Sequence, residues 1–242
     1  MTHSPPVALI TGGSRGLGAT LATFLGAEGI HLVLTARDPG PLTATASRLR
    51  ARGVRVEALP GDVAREEDRR RWMGAVGSLG RLDLLVNNAS ALGPSPRVPL
   101  RDLPVESFRE ILEVNLVGPL RLIQLAHPFL AASHGRIWNI SSDAAREGYA
   151  GWGGYGGSKA ALDLLSKTLA EELRDDGISV VSVDPGDMRT ALHQAAYPGE
   201  SIDDRPLPEV TLPFWAWLLG QPGDRVSGER YRAQGDRWEV RP

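Results

Sequence analysis

Short, unbroken apolar runs recur along this chain, and segments with helical spacing separate them. A run apolar on both of its faces suits a strand buried on both sides, and the connections between such strands in a parallel sheet are helices. Strands are predicted at Val7 to Thr11, His31 to Thr35, Val54 to Leu59, Leu82 to Val86, Arg136 to Ser141 and Ile178 to Val183. Helices are predicted at Leu17 to Glu28, Pro41 to Arg52, Arg65 to Leu79, Val105 to Ala132 and Tyr155 to Asp175, with Gly29, Gly53 and Gly177 as stops. Pro119 and Pro128 mark expected irregularities in the long fourth helix. A proline-rich loop occupies Ala91 to Pro99. Beyond Pro185 the alternation fades, leaving a short helix over Pro208 to Leu219 and a last strand over Glu229 to Ala233. The pattern is that of an α/β chain with a doubly wound parallel sheet of about seven strands and helices on both faces. No repeat and no linker divides it, so residues 1 to 242 read as a single domain.

The balance of charges excludes several functions. A net charge of −2 offers no general attraction to nucleic acid or to an anionic membrane. With no cysteine, disulfides and thiolate metal sites are impossible. His127 and His193 have no metal-ligand spacing with other residues and read as structural, so no metal is expected. Leu212 to Leu219, the longest apolar cluster, is too short to span a bilayer. Met1 to Pro6 lacks the charged and apolar regions of a signal peptide, which points to the cytoplasm. Basic charge is almost all arginine; Lys159 and Lys167 are the only lysines.

The first strand runs into Thr11-Gly12-Gly13-Ser14-Arg15-Gly16-Leu17-Gly18. Glycines there allow a tight turn and close approach to a pyrophosphate, and the helix that follows offers free N–H groups at its positive end. The second strand ends in Ala36 and Arg37, where an acidic residue would accept from a ribose 2′-hydroxyl. Arg37, with Arg15 nearby, can instead grip a 2′-phosphate through paired N–H groups, which favours NADP(H) over NAD(H). Asp38 beside them is a competing partner. Asp62 has two readings: an acceptor for the adenine amino group, or a cap for the helix over Arg65 to Leu79.

Further motifs follow in order: Asn87-Asn88-Ala89, Asn115, Ser142, Tyr155-Gly156-Gly157-Ser158-Lys159, and Pro185-Gly186 with Thr190. With the glycine loop, this set resembles the short-chain dehydrogenases/reductases of the classical type, over about Val7 to Thr190. The resemblance implies a Rossmann fold and a nicotinamide oxidoreductase acting on alcohol and carbonyl groups. It implies catalytic roles for Asn115, Ser142, Tyr155 and Lys159. It implies a cofactor site drawing on Gly12, Ser14, Arg15, Gly16, Leu17, Gly18, Arg37, Asp62, Val63, Asn88, Ala89, Tyr155, Lys159, Pro185, Gly186 and Thr190. In it Lys159 also holds the nicotinamide ribose, and Asn115 holds a water in a proton relay to Lys159. A homodimer or homotetramer built through the 105–132 and 155–175 helices is a further expectation. The chain departs from the family pattern at Ser90, which stands where the family has glycine after Asn-Asn-Ala, and at Asp184, which replaces the asparagine before Pro-Gly. Its ending, Ser227 to Asp236, also differs from that of ketoacyl reductases.

The chemistry can be stated from the residues. Tyr155 and Lys159 lie one helical turn apart and share a face. A nearby ammonium and an oxidised nicotinamide favour the phenolate, bringing tyrosine toward a working pKa. The Ser142 hydroxyl can orient a carbonyl and stabilise charge on its oxygen. Residues 187 to 209 read as a substrate lid. Trp152 and Tyr149 would suit an apolar part of a small-molecule carbonyl or alcohol substrate. Trp215 and Trp217 either complete that wall, pack the last helix on the core, or seal a subunit interface. A different class, a non-catalytic NADP(H)-binding redox sensor, would keep the glycine loop but lose the tyrosine or lysine.

Overall fold

The structure is a computed structural model and describes residues 4–240. Of the polar stretch Met1 to Pro6, Met1 to His3 lie outside the described residues, as do Arg241 and Pro242. Seven strands form one sheet: β1 (Val7–Thr11), β2 (His31–Ala36), β3 (Val56–Pro60), β4 (Leu84–Asn87), β5 (Arg136–Ile140), β6 (Ser179–Asp184) and β7 (Arg230–Arg232). Their order is β3-β2-β1-β4-β5-β6-β7, with every neighbour parallel. All five residues of β1 are buried; the first four are apolar, on both faces, and the Thr11 hydroxyl is hydrogen-bonded to the Val86 carbonyl.

Alternate residues of β1 feed two cores. Ala8 and Ile10 join the layer containing α1 (Gly16–Ala27), α2 (Pro39–Arg50) and a later helix over Leu212–Gly220. Val7 and Leu9 join the opposite layer, with α3 (Glu66–Leu79) and two helices to its C-terminal side. Local chemistry sets the helix ends. The Asp38 carboxylate accepts from the Gly40 N–H at the start of α2, where Pro39 occupies the first turn. Gly80, at φ 77°, closes α3 in the left-handed region.

The fourth helix is not continuous. It divides into α4 (Val105–Leu112), a π-turn over Glu113–Val117, and α5 (Gly118–Ser133). Pro119 has no N–H to give to the carbonyl four residues back, that of Asn115, and the Gly118 N–H bonds to Glu113 instead. Pro128, by contrast, sits inside α5 without ending it. The next helix, α6 (Gly153–Glu172), begins two residues before Tyr155. Within 187–209 the chain forms α7 (Ala191–Ala196), whose first turn is capped by Thr190. A 3₁₀ turn over Pro208–Thr211 then leads into α8 (Leu212–Gly220), followed by the short α9 (Gly223–Val226). Among the described residues no helix is long and apolar enough to cross a membrane.

Candidate active site

Crossovers leave β1 and β4 toward opposite sides of the sheet, which opens a crevice at the carboxyl ends of the strands. A cavity of about 670 Å³ lies there. It is lined by every residue of the expected catalytic and cofactor set except Asn115.

The glycine loop forms its floor at one end. Gly12 has φ 67°, and a Cβ there would come within 2.8 Å of Asn88 Nδ2. A Cβ on Gly18 would lie 2.2 Å from the Gly12 carbonyl oxygen. Both positions therefore require glycine. Thr11 and Asn88 stitch the loop to the end of β4. Asn88 Nδ2 donates to the Thr11 and Gly12 carbonyls at 2.8 and 3.2 Å, and the Asn88 and Ala89 N–H groups reach Thr11 Oγ1 at 3.0 Å. The first turn of α1 has no side-chain cap and no acidic residue, so its positive end is left to whatever enters the cavity.

Beside it, Arg15 pairs with Asp38 at 3.1 Å, and both side chains are more than half exposed. Such an exposed pair is worth little and exchanges readily for a better acceptor. Arg37 lines the same end of the cavity and has no carboxylate partner among the described residues. Asp62 does not cap α3, whose N-cap is Arg65; its carboxylate accepts from the Ala64 N–H at 2.9 Å while lining the cavity. The capping interpretation is thereby corrected.

At the other end, Ser142 follows β5, and Tyr155 and Lys159 project from the first turns of α6. Tyr155 is 8 % and Lys159 2 % exposed. The Lys159 ammonium donates to the Ile140 carbonyl at 2.7 Å and stands 5.6 Å from the Tyr155 ring centre. Burial pushes Tyr155 up to about 12, against the pull of the Ser142 and Ser90 hydroxyls. It pushes Lys159 down to about 8, although the Asp163 carboxylate favours the ammonium. The expected drift of Tyr155 toward the phenolate is therefore not present in the protein by itself. Loss of water around the phenol outweighs the two serine hydroxyls, and the lysine aims its charge at a backbone carbonyl.

Asn115 stands behind the cavity and is fully buried within the π-turn. Its Oδ1 accepts from the Ala91 N–H at 2.8 Å and the Ser90 hydroxyl at 3.2 Å. Its Nδ2 donates to the Ala91 carbonyl and to Ser158 Oγ, each at 2.9 Å. It makes no direct bond to Lys159 among the described residues; it binds the 90–91 loop to α6. Ser90, which departs from the family's glycine, thus meets both Asn115 and Tyr155.

Trp215 and Trp217 do not line the cavity. Trp215 is fully buried, stacked on Trp138 at 5.2 Å, and Trp217 packs against Phe214, Tyr231 and Trp238. An almost wholly apolar helix carries no mark of which neighbour it will meet; here α8 faces the sheet. Trp152 and Tyr149 do line the cavity, with Trp152 edge-on to Tyr155 at 5.6 Å. Two residues that sequence reasoning missed belong here. Asp143 accepts from Ser142 Oγ and from the Tyr149 hydroxyl, each at 2.9 Å, and so holds the serine hydroxyl. His193, read as structural, lines the cavity from α7 beside Tyr197, and burial holds it below the usual histidine range. The signal for Asp143 was its place next to Ser142; His193 had none.

A family profile described as short chain dehydrogenase matches residues 6–201. A Pseudomonas aeruginosa protein named rhamnolipids biosynthesis 3-oxoacyl-[acyl-carrier-protein] reductase is 38% identical over 191 residues, covering 74% of this chain and 72% of its own. L-fucose dehydrogenase from Bos taurus is 33% identical over 230 residues, covering 92% and 80%. A solved structure of an Escherichia coli CFT073 protein assigned as a short chain dehydrogenase, complexed with NADPH, superposes with a TM-score of 0.87 at 28% identity, covering 95% and 97% of the two chains. The chain thus belongs to the short-chain dehydrogenase/reductase family of nicotinamide-dependent oxidoreductases.

Proposed function

We propose that this chain is an NADP(H)-dependent carbonyl reductase in which Tyr155 gives the proton. The observation that carries this reading is the placement of Tyr155, buried in the cavity wall with its hydroxyl in reach of Ser142 and its ring beside the Lys159 ammonium. A phenol held up to about 12 keeps its proton at neutral pH, as a donor to a carbonyl oxygen must. The cavity suits a dinucleotide at its other end, because the bare glycine loop admits no Cβ and the start of α1 is uncapped. Arg37, with Arg15 released from Asp38, is suited to a 2′-phosphate. The NADPH-bound structural neighbour supports that choice.

When bound, the nicotinamide supplies the hydride. Ser142 orients the substrate carbonyl and, once turned from Asp143, donates to its oxygen. Tyr155 delivers the proton. The Lys159 ammonium steadies the phenolate left behind, and Asn115 keeps the 90–91 loop and α6 in register. Segment 187–209 covers the substrate, with α7 held by Ser95 Oγ on the Ala195 carbonyl at 2.8 Å and Arg97 Nε on the Ala196 carbonyl at 2.9 Å. The Arg97 guanidinium lies between Trp152 and Tyr197, at 4.5 and 4.7 Å from their ring centres. Relatives named for a 3-oxoacyl reduction and for a sugar dehydrogenation support carbonyl/alcohol chemistry.

The test follows nicotinamide absorbance with NADPH or NADH over a panel of ketones and aldehydes. Turnover with NADPH is expected, and Tyr155→Phe should lower kcat by at least about a hundredfold while sparing NADPH binding. Full activity in that variant would end the Tyr155 mechanism.

A further inference from the structure

Two departures from the family pattern, Asp184 and the segment 227–236, meet beneath the site. Arg230, in β7, has only 6 % of its side chain exposed. Its Nη2 donates to the Ser142 carbonyl oxygen at 2.7 Å and lies 3.4 Å from Asp184 Oδ2, while its Nε donates to Asp163 Oδ2 at 2.8 Å. Each of these partners belongs to a different part of the site. Ser142 is the residue expected to orient the carbonyl. Asp184 Oδ1 accepts from the Gly186 N–H at 3.0 Å, fixing the Pro185-Gly186 turn. Asp163 stands on α6 one turn beyond Lys159 and also accepts from Ser182 Oγ.

We propose that Arg230 is a positioning residue whose single buried guanidinium locks Ser142, the Pro185-Gly186 turn and the Tyr155–Lys159 helix in mutual register. The proposal rests on the hydride-transfer reading above for its effect on rate, though not for its structural content. Asp184 and Arg230 then form a matched substitution. A carboxylate at 184 needs a cation at 230, and the planar fork of arginine satisfies three acceptors where lysine satisfies fewer. Asp163 and Asp184, with side chains 13 % and 3 % exposed, are left without their buried cation if Arg230 is removed. Arg232 does not replace it, since its Nε is 4.0 Å from Asp184 and its side chain is 75 % exposed.

The experiment compares the wild type with Arg230→Lys, Arg230→Met and the double variant Arg230→Met/Asp184→Asn. It measures kcat per folded molecule, Tm and amide hydrogen exchange. Arg230→Lys should stay folded, exchange faster at 141–145 and 184–187 but not in β1 or β2, and lose about tenfold in kcat. Arg230→Met should lose more, and the double variant should regain several-fold over it, because asparagine keeps the Gly186 bond and removes one of the two stranded charges. Variants that lower Tm while leaving kcat and exchange at those two segments at wild-type values would overturn the proposal. A double variant no better than Arg230→Met would overturn the pairing with Asp184. If the wild type itself reduces no carbonyl on the panel, the functional reading fails, and the exchange pattern still decides whether Arg230 holds the segments.

Discussion

Burial disfavours charge on Tyr155 and Lys159 alike, and so moves their pKa values in opposite directions. For Lys159 the folded value, about 8, lies below the ordinary 10.5, so the unfolded chain binds more protons between those limits. Stability from this group therefore rises as pH climbs from about 8 to 10.5, and the cost of the buried ammonium is complete below 8. Lys159→Met removes that cost. Its Tm relative to wild type should be most favourable near pH 7 and should fall steadily toward pH 10.5, as calorimetry across that range will show. Tyr155 is present in both proteins and cancels. Activity should drop by at least about a hundredfold in the same variant. At the adenosine end, Arg37→Ser should lower kcat/KM for NADPH by roughly ten- to a hundredfold and leave NADH nearly untouched. Equal losses with both cofactors would show that Arg37 reads no phosphate. The motif residues were legible because their types and order are themselves the signal. Asp143 stood beside Ser142 and Ser90 stood out as a departure, but the roles of these two, of Arg230 and of His193 were not legible, since each acquires its role from a neighbour brought in by the fold: a hydroxyl, an amide, a pair of carboxylates, a cavity wall.

At the scale of elements, the first six strands were readable from their apolar runs to within two residues, including the half-exposed edge strand β3. β7 falls within one residue of its expected bounds at each end, and its burial is shared by Tyr231 and the Arg230 side chain while Arg232 faces out. The break between α4 and α5 was hidden for another reason. A π-turn keeps helical periodicity almost intact, and Pro119 alone hinted at it. The glycine loop offers the clearest element-level test. In Gly18→Ala the new methyl meets backbone rather than a yielding side chain, so β1, the loop and α1 must separate. A loss of about 1–3 kcal/mol is expected. Thermal denaturation should report it together with much weaker dinucleotide binding, whereas a variant as stable and as tightly bound as wild type would mean the loop gives way freely.

For the whole molecule, the helices on one side present unpartnered apolar residues: Val105 on α4 is 58 % exposed and Leu164 on α6 67 %. Together with Val117 at 41 %, they mark the face through which a homodimer or homotetramer is proposed to form. Light scattering on Leu164→Arg should then show a smaller particle than wild type. Identical masses would place any assembly elsewhere.

The parallel sheet also dictates how the chain must come together in time. β1 pairs with β4 through Ala8↔Leu84, Leu9↔Leu85 and Ile10↔Val86, partners separated by most of the N-terminal third of the chain. Among the described residues no two strands are joined by a hairpin, so every pairing waits on a complete crossover. On a ribosome, β1, β2 and β3 can zip together first while the other edge of β1 stays open. That edge is closed only when β4 emerges, and the Ser142 carbonyl receives its guanidinium last of all, when β7 docks. A nascent chain halted before residue 230 should therefore be largely folded in its N-terminal half and exposed to aggregation along its unfinished edge.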